Sequence, residues 1–360
     1  MSATDESPSK AAEFERVAAQ VQTGVANFAE DRPTLVKRLQ HLLHMHPTLI
    51  PAIVLLIGVA IFSTIVGERF LHPFNFSLVL QQVTIIGVIG VAQTIIILTA
   101  GIDLSVGAIM VLCSVVMGKL AVGAGLPAPV AILAGLGVGA ICGGINGLLV
   151  TRFRLPPFIV TLGTWNIFFA LNLWYSESET IRAADVEAEA PLLQVFATSI
   201  DFFGMRLTAG SVAMILLVLL FWYVLNHTPW GRHVHAVGDD PDAARLAGIR
   251  TDRVLMSVYV VAGVVCAFAA WVLIGRIGSV SPQAGQTANL DSITAVVIGG
   301  TSLFGGRGSI IGTLFGALIV GIFRNGLALS GVNVLWQEFA VGVLIIVAVA
   351  LDQWLRRVSQ

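Results

Sequence analysis

From residue 49 onward the chain alternates long apolar runs with short polar or glycine-rich breaks. A helix needs about 20 apolar residues to cross a hydrocarbon core of about 30 Å. Runs near that length fall at 49–66, 78–98, 104–121, 128–150, 157–175, 208–225, 255–274, 288–303, 309–330 and 334–354. The pattern predicts an all-α polytopic membrane protein of about ten spans. Only a short turn separates the second from the third and the eighth from the ninth, and the eighth is short.

Composition agrees with a fold solvated by lipid: 56% of residues are apolar, 11% are charged and mean hydropathy is +0.88. That excludes an ordinary soluble domain. A net charge of -1 gives no electrostatic case for nucleic acid. Cys113, Cys142 and Cys266 all lie in apolar runs and match no metal-ligand spacing, so they read as small buried hydrophobes. Residues 1–48 are polar and of mixed charge, without the layout of a cleavable signal, and read as a cytosolic tail that is partly helical near Phe28 to Leu43.

Placement of the cations sets the expected orientation. With the N-terminus inside, fourteen of the 20 Lys and Arg fall on the cytoplasmic side, and only Arg69, Arg182, Arg206 and Arg276 fall clearly outside. Short cationic loops stay cytoplasmic, so both termini, including 355–360, are expected inside. The outer loop 176–207 is acidic, with Glu177, Glu179, Asp185, Glu187, Glu189 and Asp201. It reads as a solvated loop or as a docking surface.

Three polar segments carry information. In TAGIDLSVGAIM, Thr99 to Met110, Gly101 is placed to end one helix in a left-handed cap, and Asp103 to cap the next, with Ser105 in its first turn. Direct contact of Asp103 with a coupling ion or a substrate is the other reading. In GGTSLFGGRGSIIG, Gly299 to Gly312, glycines permit a tight reversal and Ser309 can cap the ninth span. It is not a phosphate-binding loop, which needs a Lys followed by Ser or Thr; here Gly308 follows Arg307, and the only Gly-Lys pair, Gly118 and Lys119, precedes Leu120. Any ATP must therefore be hydrolysed by a partner. In the loop 226–254, Asp240 suits an N-cap, Pro241 the first helical position and Gly248 the C-terminal cap. The short helix so formed, with Ala243, Ala244 and Ala247, is a bare connector or a docking element. His227, His233 and His235 read as solvated, with no metal site.

Polar side chains in the spans are costly in lipid and face the bundle interior or an aqueous path. Gln81, Gln82, Gln93, Asn146, Thr161, Thr164, Asn166 and Asn172 qualify, with Trp165 beside them. Amides and an aromatic face suit a sugar, although interhelical bonding is the plainer role of each. Gln93, Asp103, Asn146, Thr164, Trp165 and Asn166 are the candidates for a translocation path. Arg324 and Glu338 lie at similar distances from the turn near Ser330 to Asn333 and are expected to form a structural ion pair.

Taken together, GIDLSVG from Gly101, NG…R…PPFIVTLGT from Asn146 to Thr164, GDDPDAARLAGI from Gly238 and VIGGTSLFGGRGSIIGTLFGALIVG from Val297 resemble the permease subunits of bacterial ABC importers for monosaccharides, the ribose, xylose and fructose type. The blocks stand in the family's order over most of residues 80–345. The resemblance implies a multi-pass inner-membrane permease that pairs with a second copy of itself. It also implies a cytoplasmic ATPase that binds ATP and Mg, and a periplasmic sugar-binding protein. The chain itself would hold no cofactor and no catalytic residue. By the same resemblance the loop helix becomes a coupling helix, with Asp239, Asp240, Ala243, Ala244, Ala247 and Gly248 meeting a groove on the ATPase. Two features depart from the family: the outer loop is longer, and Asp240 stands where Asn is usual. The expected cargo is a pentose or hexose, with ribose and fructose first. The rival reading is an ion-coupled secondary transporter that uses Asp103. A membrane-embedded enzyme is weaker still, since no cluster joins a nucleophile, a base and an oxyanion donor.

Overall fold

The computed structural model describes residues 48–202 and 204–358, so the tail 1–47, its expected helix near Phe28 to Leu43 and the last two residues lie outside the described residues. The principal helices are α1 (Leu49–Val66), α2 (Pro73–Leu98), α3 (Val106–Gly118), α4 (Ala128–Arg152), α5 (Pro157–Ser176), α6 (Ala209–His227), α7 (Pro229–Asp239), α8 (Pro241–Leu246), α9 (Thr251–Ile277), α10 (Ala288–Ile298), α11 (Ile310–Leu329) and α12 (Val334–Val358). A five-residue π-helical turn, Lys119–Gly123, extends α3. Proline opens α2, α5, α7 and α8, where its fixed φ suits the first turn and its missing N–H leaves no bond unmade.

Among the described residues eight helices are long and apolar enough to cross a membrane, and α10 and the start of α12 are shorter apolar elements at the eighth and tenth expected positions. The eighth run is cut at Ile298, short of 303, because Gly299 and Gly300 follow and Gly300 takes φ +83°. Outside the helices stands a small hairpin, β1 (Ser199–Phe202) paired antiparallel with β2 (Met205–Thr208), between α5 and α6. Ile181 bridges to Val280 and fastens that connection to the stretch after α9.

α2 and α9 form the buried centre. Ile95, Ile96, Ile97 and Leu98 on α2 and Cys266, Ala267, Ala269 and Ala270 on α9 are wholly covered. α4 crosses α9 at backbone contact: Gly139, Gly143 and Gly147 recur every fourth residue and face Tyr259, Gly263 and Ala267. A Cβ on Gly143 would overlap the carbonyl oxygen of Tyr259, and one on Gly139 would sit 2.7 Å from the Ala267 Cβ. Small residues at this spacing let two helix backbones touch, which is the main source of attraction between helices in lipid. Interhelical hydrogen bonds add to it: Thr94 to Thr313 at 2.7 Å, Thr84 to Ser211 at 3.0 Å and Asn75 Nδ2 to Asn325 Oδ1 at 3.0 Å.

Arg324 on α11 reaches two carboxylates. Its Nη2 donates to Glu338 Oε2 at 3.1 Å and to Asp291 Oδ1 on α10 at 3.0 Å. The Asp291 side chain is 16% exposed and that of Glu338 59%, so α10 supplies the better-shielded partner. Thr287 Oγ1 holds the other Asp291 oxygen at 3.2 Å. Arg324→Met therefore strands a shielded carboxylate and is expected to destabilise the protein by about 1–3 kcal/mol. Glu338→Leu is expected to cost less, and thermal unfolding in detergent reads the difference. Equal and negligible shifts for both would remove any structural role from the triad.

Candidate functional site

The turn between α2 and α3 is built around a buried carboxylate. α2 ends with Ala100 N donating to Ile97 O and Gly101 N to Ile96 O, and the left-handed residue is Ala100, at φ +60°, in place of the expected Gly101. Gly101 is required for closeness instead, since a Cβ there would lie 3.1 Å from Tyr259 Oη and 3.1 Å from Ile96 Cγ2. Asp103, 2% exposed, accepts at one oxygen from Ser105 N and Ser105 Oγ, both at 2.6 Å, while Asn146 Nδ2 on α4 reaches its other oxygen at 3.4 Å and Ser105 Oγ at 2.8 Å. Short bonds to a charged acceptor are the strong kind. Thr161 on α5 accepts from Leu104 N and donates to Ile102 O, and Asn289 on α10 donates to Leu104 O at 3.2 Å. Four helices thus converge on one seven-residue turn, and Asp103 organises it.

The path candidates separate into two groups. Gln93, Asp103, Asn146 and Thr164 are buried within the chain. Both side-chain polar atoms of Gln93, Asn146 Oδ1 and Tyr259 Oη have no hydrogen-bond partner among the described residues. Asn166 is exposed on α5 next to Gly163, and Trp165 is half-buried and stacks on Phe169 with ring centroids 6.2 Å apart. Asn289, Tyr259 and Asp291 are the functional-looking residues that sequence reasoning missed; an Asn inside an apolar run was the signal available for Asn289.

A second assembly lies at the end of α2. Asp240 Oδ1 accepts from Asp242 N at 2.9 Å and Ala243 N at 3.0 Å and so caps α8. Gly248, at φ +86°, follows its end. Asp239, Asp240, Ala243, Ala247 and Gly248 are exposed; Ala244 is buried against the chain's own helices. Behind α8, the end of α7 presses on two other turns. Gly306 N donates to Leu98 O at 3.0 Å, and His235 Nδ1 is 3.0 Å from Gly306 O. No Cβ fits at this junction: on Gly238 it would overlap Leu98 O, on Gly305 it would sit 2.9 Å from Ala100 Cβ, and on Gly306 2.9 Å from Asp239 Cα. Three turns, at 98–101, 235–239 and 305–306, are therefore locked backbone to backbone. The end of α7 thus touches both the end of α2 and the turn that precedes α11.

The family model for the permease component of branched-chain amino acid transport systems matches residues 75–349. A fructose import permease of Rhizobium meliloti is 55% identical over 359 residues, covering 100% of both chains. This chain belongs to the permease family of ABC importers, in its monosaccharide branch. A ribose import permease of Bacillus subtilis is 40% identical over 293 residues, 81% of the permease and 89% of that relative. A D-allose transport permease of Escherichia coli is 34% identical over 300 residues, 83% and 90% respectively. No solved structure matches the chain. The permease is a multi-pass protein of the inner membrane.

Membership of this family does not favour the ion-coupled alternative, and the donors around Asp103 give the carboxylate a structural task. Asp103→Ala is expected to strand the Ser105 and Asn146 donors and to destabilise the permease by about 2–4 kcal/mol. Asp103→Asn keeps an acceptor oxygen toward Ser105 and is expected to lose less than half of that. Unfolding in detergent and sugar uptake in vesicles are measured side by side. If Asp103→Asn unfolds like the native protein yet transports nothing, the carboxylate acts in transport itself.

Proposed function

We propose that the permease carries a monosaccharide, with fructose first, from periplasm to cytoplasm by alternating access driven by a partner ATPase. The whole-length identity of 55% to a fructose import permease carries the choice of sugar; ribose is the second choice, from the 40% relative. The tail 1–48, the coupling loop 226–254 and residues 355–360 are assigned to the cytoplasm, and the loop 176–207 to the periplasm. Supporting this orientation, Arg152, Arg154, Arg232, Arg245, Arg250, Arg253 and Arg307 all occupy connections on one side.

In this reading a cytoplasmic ATPase binds ATP and Mg, a periplasmic binding protein delivers the sugar, and a second copy of the permease completes the path. The chain supplies no catalytic group, cofactor or metal site. Asp239, Asp240, Ala243, Ala247 and Gly248 present α8 to the ATPase, while Ala244 anchors α8 from behind. Between two copies, the exposed Asn166 with Trp165 would border the path, and the buried layer of Gln93, Asp103, Asn146 and Thr164 would brace it. The decisive experiment is gentle extraction of the tagged permease from native membranes. A stoichiometric ATPase in the eluate, and ATP-dependent fructose uptake by the assembled complex, are expected; a permease that transports without any ATPase would sink the proposal.

The coupling helix has its own test. Gly248 lies in open space at a left-handed φ, so Gly248→Trp both fills the docking side of α8 and strains the backbone. Gly248→Asn tolerates that φ and serves as the control. Uptake is expected to fall at least tenfold for Trp and less than twofold for Asn, read in vesicles.

A further inference from the structure

The same locked junction carries a side chain that the coupling helix does not account for. Leu246, the last residue of α8, is 92% exposed, and Phe304, at the tip of the 299–309 turn, is 79% exposed. Other strongly exposed apolar residues, such as Leu56 and Leu133, belong to helices long and apolar enough to cross a membrane. Leu246 is flanked by exposed Arg245 and Ala247, and Phe304 stands in a turn with exposed Arg307. Phe304 lies in the turn whose Gly306 N bonds to Leu98 O, the last residue of α2.

Both residues are held in fixed frames. Arg245 Nη2 donates to Thr251 Oγ1 at 3.2 Å and Ile249 N to Ala244 O at 3.0 Å, which fixes the end of α8. Ser302 N donates to Arg307 O at 2.8 Å, Gly305 N to Ser302 O at 3.1 Å and Phe304 N to Ser302 Oγ at 3.3 Å, which closes the turn under Phe304. The backbone contact of Gly305 and Gly306 with Gly238 and Asp239 then fixes one frame relative to the other. Pre-ordered apolar anchors lose little entropy on binding, and large side chains filling recesses dominate interface energies.

We infer that Leu246 and Phe304 form a two-point apolar anchor for the ATPase, a soluble partner that must offer two separate apolar recesses on this face. The inference rests on the proposed coupling role of α8 and adds to it the 299–309 turn, through which the ATPase would grip α11 as well as α9.

The test titrates the ATPase that co-purifies with the native permease, identified by mass spectrometry and by its nucleotide hydrolysis, onto permease held in nanodiscs. Leu246→Ser and Phe304→Ser are each expected to weaken binding at least tenfold, and the double variant more than either. Leu56→Ser, at an exposed position of α1, is expected to bind like the native permease, and all variants to unfold at the native temperature. If Phe304→Ser binds the ATPase normally while Leu246→Ser is weakened, the second anchor is wrong and the coupling helix stands. If the native permease binds no ATPase, the importer reading itself fails. If Phe304→Ser instead alters only self-association or membrane retention, a second copy or lipid covers Phe304 and the inference is overturned.

Discussion

Gly143→Leu is expected to leave almost no folded permease in the membrane. Gly143 lies where α4 and α9 meet backbone to backbone, and a Cβ there would overlap Tyr259 O and stand 2.9 Å from Tyr259 C and 3.2 Å from Gly263 Cα. These are main-chain atoms of a helix, which cannot rotate away as a side chain can. Accommodating Leu means separating the helices along the whole contact, so Gly139 and Gly147 lose their neighbours as well. The cost exceeds the roughly 1–3 kcal/mol of ordinary overpacking and is large against a stability of about 5–15 kcal/mol. Gly137→Leu is the control, since nothing lies within 4 Å of that position. Yield and monodispersity in mild detergent check the pair. Native yield of Gly143→Leu, with unchanged unfolding, would mean that the crossing is looser than described.

That crossing illustrates what could be read in the chain and what could not. Spans were legible because lipid imposes one length and one composition on every crossing, so the runs ending at Val66 and starting at Ala128 coincide with helix ends. The glycine spacing from Gly139 to Gly147 was equally visible, but a stripe of small residues does not say which helix it meets; α9 is more than a hundred residues further along. Asp291 shows the same limit. Arg324 and Glu338 flank one short turn, so local arithmetic links them, whereas Asp291 approaches from α10 through tertiary packing. At the Asp103 turn, chemistry identified the carboxylate and Ser105, yet Asn146, Thr161 and Asn289 come from three other helices.

Conformation at single residues was the least legible. Gly101 looks like a left-handed cap because glycine usually fills that role, but Ala100 adopts it, and Gly101 makes room for Tyr259. Ala244 looks available for docking because it is small and shares a helix with Ala243 and Ala247. Its placement one residue on from Ala243 turns it to the covered side of α8. In both cases composition restricted the residue type without stating which neighbour imposed the restriction.

Gly238→Val is expected to abolish coupled uptake while leaving a folded permease. A Cβ at Gly238 would overlap Leu98 O and approach Gly306 N at 2.8 Å, the two atoms that share a hydrogen bond. Inserting a branched side chain therefore parts α7 from the ends of α2 and α11, at the ends of those helices and not along their length. Helix packing in the bundle is retained, so yield and unfolding temperature stay near native. Transmission is lost, because α8 can then move without α2. Sugar uptake is expected to drop at least tenfold, with ATP hydrolysis by the assembled complex retained but no longer stimulated by loaded binding protein. Gly306→Ala attacks the same junction from the other side, where φ is +72° and Asp239 Cα would lie 2.9 Å from the new methyl. It should uncouple in the same way, since what matters is the contact and not the identity of either glycine. If Gly238→Val transports normally, the docking face drives the bundle by some route other than this junction; if both variants uncouple while His233→Val, at an exposed position earlier on α7, does not, the locked turns are the transmission.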